Sequence, residues 1–160
     1  MGSGKTHWGK LWAKEHGMDF WDLDAMIEEK EQKAVDALFS EFGESYFREA
    51  ESIVLRTFTG KDNYILASGG GTPCFHNNMQ WMNDNGTTVY LRATADQIIE
   101  RVKNEKHKRP LLKQLNDDEI LPFVSQKIKE RELFYSHAKI ILPAGGLTIA
   151  SFNEIQKFEM

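Results

Sequence analysis

Short apolar runs alternate with amphipathic stretches along the whole chain. Trp8, Leu11 and Trp12 recur at i, i+3 and i+4, which predicts a helix over 5–16 closed by Gly17. Met18–Trp21 reads as a short strand, followed by helices over 24–31 and 35–42 that Gly43 punctuates. A longer helix is predicted over 44–58, with Phe47, Ala50, Val54 and Leu55 as its apolar stripe. Tyr64-Ile65-Leu66-Ala67 is an unbroken apolar run ending in Ser68-Gly69-Gly70-Gly71, the pattern of a strand buried on both faces and followed by a loop. Beyond it the pattern predicts a helix over 77–85, a strand over 87–91 and a helix over 95–102. A charge-rich stretch over 103–112 precedes a long helix over 117–135, a strand over 139–142 and a last helix over 148–157. Short strands separated by helices predict an α/β fold: three layers, α/β/α, around a parallel sheet with right-handed crossovers. Trp8, Trp12, Phe39 and Phe42 are expected in or near the core.

Composition narrows the function classes. The chain has 160 residues, enough for one domain with a sizeable core. Its formal charge of −4 gives no general pull toward nucleic acid or an anionic membrane, so an anionic substrate must be held by locally placed basic groups. One cysteine, Cys74, rules out an internal disulfide and fits a reducing cytoplasm. No apolar run approaches membrane-spanning length, and the polar, glycine-rich start is no signal peptide. The five histidines show no metal-ligand spacing with one another or with Cys74.

Several groups then suggest chemistry. Gly4, Lys5 and Thr6 fill the last three places of G-x-x-x-x-G-K-[ST], a phosphate-binding loop that opens a helix. Amides of Gly2, Ser3 and Gly4 would cradle phosphate, with an ammonium from Lys5 and a hydroxyl from Thr6 for Mg²⁺; the bland alternative is a flexible start. In sheets of this kind ligands bind beyond the carboxyl ends of the strands, so this loop, Asp22/Asp24 and Gly69–Gly71 are expected to converge at one rim. Asp22 and Asp24 follow a strand two apart, so extended alternation would aim both carboxylates into the rim; one could equally cap the next helix. Arg48 and Glu51 share a helix face at i, i+3, either as an exposed ion pair or as a fork for a carboxylate oriented by Glu51. Arg131 offers a second arginine. Three consecutive glycines, 69–71, point to close backbone approach to a ligand. Arg109, in Arg109-Pro110-Leu111-Leu112, belongs either to a solvated loop or to a mobile lid.

Taken in order, Gly2-Ser3-Gly4-Lys5-Thr6, Phe20-x-Asp22-x-Asp24, Gly43-Glu44-x-x-Phe47-Arg48-x-x-Glu51, Gly69-Gly70-Gly71, Arg109-Pro110-Leu111-Leu112 and Arg131-x-x-x-Tyr135-x-x-Ala138 closely resemble shikimate kinase, from Met1 to about Ala138. The resemblance implies a single P-loop domain over 1–160 of the nucleoside-monophosphate-kinase type, with substrate helices at about 24–59 and a lid at about 103–113. It implies transfer of the γ-phosphoryl of ATP to the 3-hydroxyl of shikimate, with Mg²⁺, on the route to chorismate and the aromatic amino acids. By the same resemblance, Gly2–Thr6 and Arg109 bind ATP, and Thr6 and Asp22 serve the metal. Asp24, Arg48, Gly70, Gly71 and Arg131 bind shikimate, and Asp24, Lys5 and Arg109 are catalytic. A cytoplasmic monomer acting on small molecules, with no nucleic acid or membrane partner, is expected. The alternatives are a P-loop kinase of another small hydroxy acid such as gluconate, or an inactive nucleotide-binding remnant. The family's five-stranded sheet has a central strand just before the phosphate loop, for which this sequence has no segment. Its neighbours are expected to face each other across a gap or to collapse. Either the translation start is assigned too late, which we expect, or the chain folds poorly. An apolar extension should raise melting temperature and ATP affinity.

Overall fold

The computed structural model describes residues 2–103 and 115–159. Helix α1 (Lys5–His16) ends where Gly17 turns left-handed at φ 65° and its N–H returns to the carbonyl of Ala13. Strand β1 (Asp19–Asp22) leads into α2 (Leu23–Glu31), and α3 (Val35–Arg56) follows. Gly43 breaks α3 into the two predicted segments, with φ 82° and ψ 169°, a conformation only glycine takes cheaply. Next come β2 (Tyr64–Ala67), a 3-10 turn at Thr72–Cys74 and α4 (Asn78–Asn85). The chain continues through β3 (Val89–Arg92), α5 (Ala95–Lys103), α6 (Asp117–Tyr135) and β4 (Ile140–Pro143). The last helix begins as a 3-10 turn at Ile149–Ser151 and continues as α7 (Phe152–Glu159). Among the described residues no helix is long and apolar enough to cross a membrane.

The strands are parallel, as the alternation predicts, but they form two pairs. β1 pairs with β2, Asp19 opposite Tyr64; β3 pairs with β4, Val89 opposite Ile140. No ladder joins β2 to β3 among the described residues. The gap expected from the resemblance is present, and the sheet is divided at its centre. Each half has its own core. Leu23, Ile27, Leu38, Phe47, Val54 and Leu55 pack between α2 and α3 beside the first pair. Trp12, Leu91, Ile98, Val124, Leu142 and Phe152 join α1, α5, α6 and α7 over the second.

Two expectations need correction. Phe42 is 49% exposed and stacks on Tyr46 at the surface, because it sits at the Gly43 kink where the apolar stripe changes direction. Asp24 does not continue a strand: Leu23 already begins α2, so period-two alternation does not apply to the Asp22/Asp24 pair.

Candidate active site

Four pieces of the chain meet at the carboxyl ends of β1 and β2. The first is the loop into α1. Gly2 and Gly4 are left-handed, at φ 63° and 95°, and no side chain caps the helix, so its first amides point outward from the positive end of the dipole. Ser3 is buried, and Arg101 donates to the carbonyls of Gly2 and Ala144, tying the loop to the end of β4. Lys5 lines the cleft beside Gly69 and Gly70. The Thr6 hydroxyl donates to Oδ2 of Asp22 at 3.1 Å.

The second piece is the turn from β1 into α2. Asp22 is the N-cap: its Oδ1 accepts from the amides of Asp24 and Ala25, so both readings of this residue meet in one carboxylate, which caps α2 and also holds Thr6. Asp24, the second residue of α2, packs against Gly69, where an added Cβ would lie 3.2 Å from its Oδ1. Burial, then the charges of Asp22 and Glu51, raise its pKa to about 6 against the opposing pull of Lys5.

The third piece is the second half of α3. The Arg48–Glu51 pair is not the exposed bridge its spacing also allows: Arg48 is 7% exposed and Glu51 is fully buried, with Nη1 to Oε2 at 2.9 Å. The other edge of the guanidinium, Nε and Nη2, donates to Glu44 at 3.2 and 3.1 Å. Its face lies 4.6 Å from the Phe75 ring centroid, a cation–π contact. Oε1 of Glu51 accepts from the Thr72 hydroxyl at 2.5 Å.

The glycine run explains how these groups fit. None of Gly69, Gly70 and Gly71 has a positive φ, so conformational freedom is not the reason for them. A Cβ on Gly71 would sit 2.4 Å from Arg48 Nη2, and one on Gly69 would sit 2.9 Å from Glu51 Oε1. Closeness to Arg48 and Glu51 is what excludes a side chain at these two positions. The fourth piece is α6. Tyr135 donates its hydroxyl to the carbonyl of Gly70 and stacks on Tyr90 at 4.8 Å, while Tyr90 and Arg92 both donate to Glu132. Arg131, one turn before Tyr135, and Arg48 both pull down the pKa of Tyr135 and of Cys74. The two arginines therefore act on the same spot beside Gly70. Burial outweighs them and keeps both groups neutral.

Lys5, Gly70 and Arg131 line one cleft, while Thr6 is tied to Asp22, Asp24 lies against Gly69 and Arg48 lies against Gly71. Arg109, with residues 104–113 of the expected lid, lies outside the described residues. Glu44, Thr72 and Tyr135 are site partners to which the sequence reading attached no role. Tyr135 stood in a quoted motif, and four residues after Arg131 it shares that arginine's helix face, a usable signal.

Comparison with known proteins gives the family. Residues 1–158 match the family described as shikimate kinase. The chain is 42% identical over 147 residues to the shikimate kinase of Phocaeicola vulgatus, covering 92% of this chain and 84% of that protein. It superposes on the crystal structure of shikimate kinase from Bacteroides thetaiotaomicron with a TM-score of 0.91 at 38% identity, over 99% of this chain and 93% of that one. It superposes on the shikimate kinase of Acinetobacter baumannii in complex with shikimate with a TM-score of 0.87 at 27% identity, over 99% and 88% of the two chains. Matched along nearly its whole length, the chain belongs to the shikimate kinase family.

Proposed function

We propose that this cleft performs the family's reaction, γ-phosphoryl transfer from ATP to the 3-hydroxyl of shikimate, with the following division of labour. The amides of Gly2–Gly4 and the Lys5 ammonium hold the β- and γ-phosphates; the uncapped start of α1 supports this. Arg48 and Arg131 grip the substrate carboxylate next to the Gly70 and Gly71 amides, and Arg109 neutralises the transferring group. Asp24 is the observation that carries the reading. It is a buried carboxylate whose pKa is raised to about 6, within the field of Lys5 and against Gly69. At pH 7 it is largely ionised and more basic than an ordinary carboxylate, which suits it to take a proton. It orients the 3-hydroxyl as that oxygen bonds to γ-phosphorus. The bond to the ADP oxygen breaks, and the hydroxyl proton passes to Asp24. Little covalent work falls to the protein; positioning and charge neutralisation dominate.

Thr6 and Asp22 fit a Mg²⁺ ion that arrives with the nucleotide. Their oxygens already lie 3.1 Å apart at the loop, and among the described residues no group of three acidic, His or Cys side chains forms a metal cage. Mg²⁺ is typically held by one or two carboxylates plus substrate phosphates, which is what this pair offers. When bound, the ion supplies positive charge to the phosphate oxygens. We read the whole chain as one kinase domain, with α2 and α3 as its substrate side and a lid within 103–113. We take it to be a cytoplasmic monomer; the free thiol of Cys74 suits that compartment.

The deciding assay is ADP release with shikimate or gluconate as acceptor, with ³¹P NMR locating the phosphate. Shikimate should be preferred at least ~100-fold in kcat/KM, since arginines built for a ring-borne carboxylate and an acceptor carboxylate at fixed spacing reject a flexible acid. Equal use of gluconate, or no turnover of either, would defeat the proposal.

Tyr135 gives a second test. Its hydroxyl pins Gly70 against the helix that carries Arg131. Tyr135→Phe should cost on the order of 1 kcal/mol of stability. It should raise the KM for shikimate about fivefold and leave the KM for ATP unchanged. Parallel changes in both KM values would mean that Tyr135 only supports the fold.

A further inference from the structure

The turn between β2 and α4 closes around one side chain. Asn78, the first residue of α4, is fully buried and makes side-chain hydrogen bonds of both kinds. Its Nδ2 donates to the carbonyl of Thr72 at 3.0 Å. Its Oδ1 accepts from the Ser52 hydroxyl at 3.1 Å and from Arg56 Nη1 at 2.7 Å. A carbonyl only accepts and a guanidinium only donates, so this position needs a donor and an acceptor on one short side chain, which an amide supplies. Arg56 also donates through Nη2 to the carbonyl of His76 at 2.9 Å. His76 and Asn77 are both left-handed, at φ 49° and 53°, a conformation that residues other than glycine keep where their surroundings impose it. Ser52 and Arg56 belong to α3, so Asn78 clamps that helix to the turn. The same turn carries two groups that hold Arg48. Thr72 donates its hydroxyl to Oε1 of Glu51, whose Oε2 accepts from the guanidinium, and the Phe75 ring lies against the guanidinium face. The amides of Thr72 and Cys74 donate to the carbonyls of Gly69 and Gly71, which fastens the turn to the glycine run. Asn78, Thr72, Glu51 and Arg48 thus form one continuous line, and the first three are fully buried. Out of water, hydrogen bonds in such a line polarise one another, and a lost partner is not replaced.

We propose that Asn78 is a positioning residue for substrate binding. Through the Thr72 carbonyl it fixes where the Thr72 hydroxyl holds Glu51, and so the orientation in which Arg48 presents its Nε and Nη2 edge to a carboxylate. Being fully buried, Asn78 meets no ligand and acts only through these bonds. The inference rests on the reading above that Arg48 takes the carboxylate of shikimate.

The test compares Asn78→Asp with Ser52→Ala in the full chain. It reads melting temperature, the Kd of shikimate and of ATP by calorimetry, and the exchange rate of the Arg48 Nε–H by ¹⁵N NMR. Asn78→Asp keeps the acceptor that faces Arg56 and deletes the donor to Thr72. It should weaken shikimate about tenfold, leave ATP within about twofold and speed Arg48 Nε–H exchange several-fold. Ser52→Ala loosens the same clamp on the side away from Thr72, so it should lower the melting temperature and leave shikimate affinity unchanged. Adding Asn78→Asp to Thr72→Val should weaken shikimate no further than Thr72→Val alone, because both changes break one line. Should Asn78→Asp fail to fold, the parent decides: saturating shikimate should slow exchange of the Asn78 side-chain amide and of the Arg48 Nε–H together, and ATP should slow neither. Equal losses of shikimate affinity in the two single variants, additivity with Thr72→Val, or Arg48 exchange unchanged by Asn78→Asp would overturn the proposal, as would an Asn78 amide in the parent indifferent to shikimate. A parent that binds no shikimate would instead overturn the reading it rests on, and Arg48 exchange in Asn78→Asp would still decide whether Asn78 orients the guanidinium.

Discussion

Asp24→Asn should leave a protein that is more stable than the parent at neutral pH and almost without turnover. The two effects have one cause. In the folded chain burial and the neighbouring Asp22 and Glu51 charges hold the Asp24 carboxyl near pH 6, above its ordinary 3.8. The raised value means that the folded state resists ionisation. Below about pH 3.8 the group is protonated in both states and carries no penalty. Between 3.8 and 6 the unfolded chain ionises first, and stability falls as pH rises. Above 6 the full penalty applies, on the order of 1–3 kcal/mol. Asparagine has nearly the same shape and never ionises, so it removes that penalty. At pH 8 its melting temperature should exceed the parent's by several degrees, and the two should converge near pH 4. Turnover with shikimate should drop by about 10²–10⁴, the usual worth of a positioned proton acceptor, while ATP still binds. The parent's kcat/KM should fall away below about pH 6 as Asp24 takes up a proton. Paired thermal and kinetic pH profiles measure all of this. An Asp24→Asn variant no more stable at pH 8, or one that still turns over, would show that Asp24 is neither strained nor central.

What the sequence made legible follows from how local each feature is. Helix α1 with its Gly17 cap, the run Tyr64–Ala67 and the apolar stripe Phe47, Ala50, Val54 and Leu55 depend on neighbours within a turn or two, and all occur where their periodicity puts them. The strands read as Met18–Trp21 and Lys139–Leu142 both begin one residue late, because the ladder partners Tyr64 and Val89, not hydropathy, decide where pairing starts. The Asp22/Asp24 geometry failed for a related reason. Alternation assumed that the strand ran on, whereas Asp22 caps a helix that begins at once. Arg48–Glu51 was visible as a spacing, but its burial was not. That depends on Phe75 and Thr72 arriving from beyond β2 and on Gly71 leaving room for the guanidinium. The tie from Tyr135 to Gly70 spans 65 positions and has no local signature. Order of motifs along the chain supplied what periodicity could not, because it carries tertiary information that no single window holds.

Arg48→Ala should be the most damaging single change in the site, and it should damage folding before it damages catalysis. Removing the guanidinium leaves Glu51 as a fully buried carboxylate without its cationic partner. Breaking such a pair costs about 3–5 kcal/mol, a large part of the roughly 5–15 kcal/mol that holds a domain together. Loss of activity in that variant would therefore say little about substrate binding. The informative variant is the double change Arg48→Met with Glu51→Gln. It removes both charges, keeps the volume, and leaves an amide that can still accept from Thr72. Replacing a buried pair by groups of similar shape is often close to neutral, so its melting temperature should return most of the way to the parent's. Substrate binding should not return with it. Glu51 fixes one edge of the Arg48 fork, while the opposite edge rests on Glu44, whose side chain is 57% exposed, so our proposal has the substrate carboxylate replace it there. Two charge-assisted hydrogen bonds at about 1.5–3 kcal/mol each make that exchange worth roughly 10²–10⁴ in kcat/KM for shikimate. ATP affinity, which our proposal assigns to Lys5 and the loop, should stay within about twofold. Thermal melts, shikimate kinetics and ATP binding on the same preparations separate the two roles. A double variant that folds and still takes shikimate with the parent's KM would remove Arg48 from the binding site and leave it as a core ion pair.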